Sequence, residues 1–149
     1  EVVLYIDLFC YYNKYMLRLQ LILSTALILI GHIVGSFFDV YQKLFWYDMP
    51  MHFLGGFWIT SVIIYFLTIH PRHTLFHETP WKNIIISFGG AMIISISWEF
   101  FEMFLSYFQN NLSCYFIGPK NRYVDTMLDL GFDMLGALFA SLVLLKRNK

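Results

Sequence analysis

Long apolar runs separated by short polar connections dominate the chain. Four runs are long enough to cross a bilayer as helices, which takes about 20 residues each. They cover residues 16–37, 49–69, 83–108 and 124–145. Pro50 falls in the first turn of the second run, where proline's missing N–H costs nothing. Residues 1–13 are apolar but too short to span, so they read as an interfacial helix or as the stump of a longer segment. No repeat, low-complexity tract or linker interrupts the pattern. The expected architecture is all-α: a single polytopic membrane domain over 1–149, built as a bundle of about four transmembrane helices.

Composition agrees with this pattern. Hydrophobic residues make up 58% of the chain, aromatics 20% and charged residues 13%, with mean hydropathy +0.60. A soluble domain needs more charge than this to cover its surface. Ten basic and ten acidic residues balance, so no basic footprint for nucleic acid exists. The expected surroundings are membrane lipids and other membrane subunits. Cys10 and Cys114 form no CxxC pattern, and no signal peptide is visible. Asn111-Leu112-Ser113 matches a glycosylation sequon.

Basic residues orient the bundle. Lys14, Arg18, Arg72, Lys82, Lys146, Arg147 and Lys149 fall on one side, against Lys43, Lys120 and Arg122 on the other. That asymmetry puts both termini in the cytoplasm of a multi-pass plasma membrane protein. Trp46, Tyr47, Trp81, Tyr107 and Tyr123 then fall near the run ends, where amphipathic rings prefer to sit.

Acidic residues change the picture most. Asp48, Glu99, Glu102, Asp125, Asp129 and Asp133 lie in or beside the apolar runs. On the expected topology all of them, with His52 and His32, come to one depth on the outer side. Asp125, Asp129 and Asp133 recur every four residues and so share an arc of roughly 80° on a helix. Gly136 lies on the same stripe. Asp48 and His52 share a face beside Gly55 and Gly56, while Ser95 flanks the Glu99 and Glu102 pair. Polar stripes in a membrane bundle face its interior, and small residues let backbones approach.

Six carboxylates cannot all remain ionised in a low dielectric. Either several are protonated and hydrogen-bonded, or cations neutralise them. A divalent metal, or a pair, answers the charge problem directly. Oxygen-rich ligands with an imidazole suit Mg, Mn, Fe or Zn. The expected ligands are Asp48, His52, Glu99, Asp125, Asp129 and Asp133. No H-E-x-x-H, paired Glu-x-x-His or cysteine metal motif is present. Simpler roles exist for some of these residues: Asp48 as a helix cap, Asp125 as a dipole partner, and interhelical hydrogen bonding for the deeper groups. His70, His73 and His77 with Glu78 read as a solvated loop on the opposite side.

Three stretches carry a resemblance: YDMPMHFLGG with Asp48, His52 and Phe53; SISWEFFEMF with Glu99 and Glu102; and RYVDTMLDLGFDMLGAL with Arg122, Asp125, Asp129, Asp133 and Gly136. In this order they resemble the VanZ-like and YjdF-like integral membrane proteins, over roughly residues 44–145. VanZ-like members often have Asn where Asp133 stands and Lys where Met49 stands. The Asp-Thr-x-x-Asp form here is closer to the YjdF-like branch. The resemblance implies a multi-pass membrane protein with a shared site, and it names no substrate.

Two functions follow from the residues. The first is a metal-dependent hydrolase or transferase on a lipid-linked or envelope substrate. The metal would polarise the substrate, Glu99 or Glu102 would be general base, and Arg122 would hold an anionic group. The alternative is a non-catalytic metal-binding or structural subunit of a larger membrane complex. A cation or proton pathway is disfavoured because the inner halves of the runs read as apolar.

Overall fold

The computed structural model describes the backbone over residues 2–69, 80–109 and 122–146. Five helices account for almost all of it: α1 (Val2–Phe37), α2 (Val40–Lys43), α3 (Asp48–Ile69), α4 (Pro80–Gln109) and α5 (Arg122–Lys146). Among the described residues there is no strand. Four helices are long and apolar enough to cross a membrane, over Tyr15–Phe37, Asp48–Leu67, Trp81–Leu105 and Tyr123–Leu144. The N-terminal stretch read as a separate interfacial segment or a stump continues α1 without a break. The histidines at 70, 73 and 77, the sequon and Cys114 lie outside the described residues.

Helices α3, α4 and α5 form the core, and α1 lies along α3. Side-chain bonds fix the antiparallel register of α1 on α3. Arg18 Nε donates to Tyr65 Oη at 2.8 Å, Gln20 Nε2 to Ser61 Oγ at 3.0 Å, and Trp58 Nε1 to Thr25 Oγ1 at 2.7 Å. In lipid, such bonds and close packing replace the hydrophobic drive that holds soluble helices together. Outward-facing Ile22, Ile33, Ile93, Phe104, Leu135 and Leu142 are exposed, as lipid-facing positions should be. The short α2 follows Asp39, whose φ of 54° is left-handed, a conformation that Asp tolerates better than most residues.

The tightest contact is between α3 and α5, which run parallel. A Cβ on Gly56 would collide with the backbone carbonyl of Asp133, and one on Gly136 with the backbone carbonyl of Phe53. The two helices therefore meet backbone to backbone, each through a glycine placed against the other. Beyond this crossing the interface is made of Ile64, Ala140 and Leu144, with Phe57 and Tyr65 packed against them.

The half of the bundle away from Asp48 and His52 differs from the apolar interior read from the sequence. Thr60, Ser61, Asn83, Ser87 and Ser141 are all buried there. The hydroxyls of Thr60, Ser61 and Ser87 donate to carbonyls four residues earlier, and Ser87 Oγ meets Ser141 Oγ at 3.0 Å. Back-bonded hydroxyls of this kind are small and self-satisfied, so they let helices approach without leaving a polar group stranded.

Adding one methyl group at the crossing should be costly, whereas the same change elsewhere on α5 should not. Gly136→Ala is expected to lower stability in detergent by about 1–3 kcal/mol, the cost of overpacking. Gly131, with nothing within 4 Å of its virtual Cβ, is the control. Gly131→Ala is expected to be neutral or to stabilise by up to about 1 kcal/mol through helix propensity. Thermal unfolding of the two variants side by side checks the difference.

Candidate metal centre

His52 sits one turn into α3, at the end of the bundle where α3 and α5 begin and α4 ends. The α3–α5 crossing directly below it decides its neighbours. Gly56 lies one turn beyond His52, and its contact with Asp133 brings that carboxylate level with the imidazole. Four-residue spacing then puts Asp129 one turn outward on α5 and Asp48 one turn outward on α3. Glu99 enters from α4 on the remaining side.

The imidazole has two carboxylates at each nitrogen. On one side, Nδ1 is 3.3 Å from Asp133 Oδ2, a hydrogen bond, and 3.9 Å from Glu99 Oε1. On the other, Nε2 is 3.7 Å from Asp48 Oδ1 and 3.9 Å from Asp129 Oδ1. His52, Glu99, Asp129 and Asp133 are buried, while Asp48 is the more open member, with 29% of its side chain exposed. Two sets of three ligand atoms lie within 4.8 Å of one another: Asp48, His52 and Asp129, and His52, Glu99 and Asp133. Donors about 2.0–2.2 Å from a first-row ion stand roughly 3–3.6 Å apart, so small side-chain movements would close either set.

Among the basic side chains described, Arg18 bonds Tyr65, Lys43 donates to the Phe38 carbonyl at 2.8 Å, and Lys82 lies over Trp81. All three have their contacts away from the cluster. Among the described residues, the buried side-chain atoms without a hydrogen-bond partner are Ser95 Oγ and Glu99 Oε1. They sit one turn apart on the same face of α4. An unpaired buried oxygen is costly and asks for a proton donor or a cation.

Five of the expected residues thus come together: Asp48, His52, Glu99, Asp129 and Asp133. Asp125 is half-buried one turn further out on α5 and belongs to neither ligand set. Glu102 is exposed and accepts a hydrogen bond from Trp98 Nε1 at 2.9 Å. Arg122 opens α5, and its side chain lies outside the described residues. His32 is exposed on α1 and bonded to Tyr41 Oη at 3.0 Å, so three helices rather than four build the site.

Tyr41 is the residue that sequence reasoning overlooked. Burial, followed by the Asp48 carboxylate, holds its phenol well above the usual tyrosine range. It therefore stays protonated through the neutral range, with its hydroxyl 3.0 Å from His32 Nδ1. The sequence carried no signal for this beyond an aromatic residue in a loop.

A family model described as "Predicted membrane protein (DUF2238)" matches residues 2–149. An uncharacterized protein of Thermotoga maritima is 31% identical over 119 residues, which is 80% of this chain and 57% of that protein. The chain thus spans little more than half the length of that relative. No solved structure matches. The matched description carries neither the VanZ-like nor the YjdF-like name.

Removing the imidazole should leave four carboxylates facing one another. His52→Ala is expected to destabilise by about 3–5 kcal/mol, as loss of one partner from a buried charged group does. Adding Asp129→Asn to it should recover part of that loss, a coupling that a double-mutant cycle of thermal unfolding measures.

Proposed function

From the premise that the chain belongs to the DUF2238 family of predicted membrane proteins, we propose that it binds a divalent cation between α3, α4 and α5, at the carboxylate cluster around His52. One observation carries this reading: Glu99 Oε1 is buried, has no hydrogen-bond partner, and faces a set of carboxylates sharing one imidazole. A cation satisfies that oxygen and neutralises its neighbours at once, whereas hydrogen bonds do so only where some of the carboxylates take up protons. One nitrogen among several carboxylate oxygens suits Mn, Fe, Zn or Mg.

When bound, such an ion supplies Lewis acidity at one membrane interface. We extend the reading to a hydrolase or transferase acting on a lipid-linked or envelope substrate. The half-open Asp48 edge would be the entrance, and the Tyr41 phenol a donor beside it. The cation itself would meet an anionic group, with Arg122 as a second contact. The ordered motifs support a wider proposed kinship with VanZ-like and YjdF-like proteins, and the distribution of basic residues supports a proposed plasma-membrane protein with both termini in the cytoplasm.

Elemental analysis of the purified protein, after chelation and reloading with Mn, Fe, Zn or Mg, is the test. The wild type should retain close to one ion per chain or more. His52→Ala and Asp129→Asn should bind at least about 10-fold more weakly, the minimum expected for a ligand or its supporting partner. A wild type that takes up none of the four metals would remove the reading.

A further inference from the structure

The two ligand sets share one imidazole, and a neutral imidazole cannot serve both. One ring nitrogen carries a proton and the other a free lone pair. An ion on Nδ1 therefore puts N–H on Nε2, and an ion on Nε2 puts N–H on Nδ1. The surroundings of the two nitrogens decide between these arrangements.

Around Nε2, both carboxylates are at hydrogen-bond-acceptor positions slightly too far out, Asp48 Oδ1 at 3.7 Å and Asp129 Oδ1 at 3.9 Å. A protonated Nε2 has two acceptors to choose from, and Asp48 reaches solvent. Around Nδ1, the situation is different. Asp133 Oδ2 is already at 3.3 Å, within the separation that two donors on one first-row ion adopt. Glu99 Oε1, at 3.9 Å, is the buried oxygen without a partner. A proton on Nδ1 is held by Asp133 and leaves Glu99 Oε1 stranded. An ion on Nδ1 satisfies both oxygens. Ser95 Oγ, the other stranded atom, lies one turn deeper on the same face of α4.

We propose that the ion sits on the Nδ1 side of His52, held by His52, Glu99 and Asp133, while Asp48 and Asp129 accept from Nε2–H and act as positioning residues. This assignment rests on the cation reading above and adds to it which carboxylates touch the metal. It makes the metal the deeper feature and the Asp48 edge the outer one. It also gives the aspartates of α5 different jobs: Asp133 is a ligand and Asp129 orients the ligand imidazole. Carboxylates that hold a ligating imidazole in this way raise its basicity and fix its tautomer.

Titration of the wild type and four isosteric variants with Zn(II) or Mn(II) alone, in detergent, separates the roles. Glu99→Gln and Asp133→Asn should bind more than about 100-fold more weakly. Asp48→Asn and Asp129→Asn should cost about 10–100-fold, the range of supporting partners. In the wild type, ¹H–¹⁵N correlation of labelled histidine should show His52, assigned by loss of its signal in His52→Gln, as the Nε2–H tautomer with Zn(II) bound. The spectrum is that of the wild type, and a variant enters only for the assignment. A wild type that binds neither metal overturns the cation reading and this assignment together. Metal binding with an Nδ1–H tautomer, or with Asp48 and Asp129 the costlier losses, overturns the assignment alone. Equal losses in all four variants overturn it as well.

Discussion

Backbone contact between α3 and α5 is the constraint from which the rest follows. Gly56 and Gly136 each remove the one atom that would hold the helices apart. Because the helices run parallel, their first turns come together at the same membrane face. Asp48 and His52 on one then stand level with Asp129 and Asp133 on the other. No flexible loop is needed to assemble these groups. The precision comes from two rigid helices that cannot slide without a clash, which is what a preorganised ligand set requires.

Helix α4 completes the site from the antiparallel direction. Its inward face carries Asn83, Ser87, Ala91, Ser95 and Glu99 at four-residue intervals, all buried. The face is narrow and mostly self-satisfied, with two exceptions at its outer end, Ser95 and Glu99. The polar character of the stripe thus changes along its length. Deep in the bundle the hydroxyls serve packing, and at the other end Glu99 Oε1 comes within 3.9 Å of the imidazole.

Much of this was legible in the sequence, and for definite reasons. Spans were legible because hydrophobic runs in a membrane have a minimum length. The Asp48–His52 and Asp129–Asp133 stripes were legible because four-residue spacing keeps a face. The Glu99–Glu102 pair was only half legible. Three residues turn a helix by about 300°, and that offset of roughly 60° separates an inward carboxylate from one taken by Trp98 at the surface. His32 shares the site's depth but not its direction, since α1 packs on α3 and its imidazole turns to Tyr41. Depth can be read from hydropathy, whereas direction depends on which helices touch. The hydroxyls of the inner half were visible as letters, but a run rich in Leu and Ile masks a one-residue-in-four polar face.

The parallel pairing of α3 with α5 also has a consequence for biogenesis. Chains are made from the N-terminus onward, so Asp48 and His52 enter the membrane well before the segment that holds Asp129 and Asp133 exists. During that interval their compensation must come from elsewhere. Their place in the first two turns of α3 makes the wait tolerable, because charge close to a helix end can reach the watery interface. Of the three helices that carry the ligand set, α5 is made last, so its insertion doubles as the step at which that set first exists.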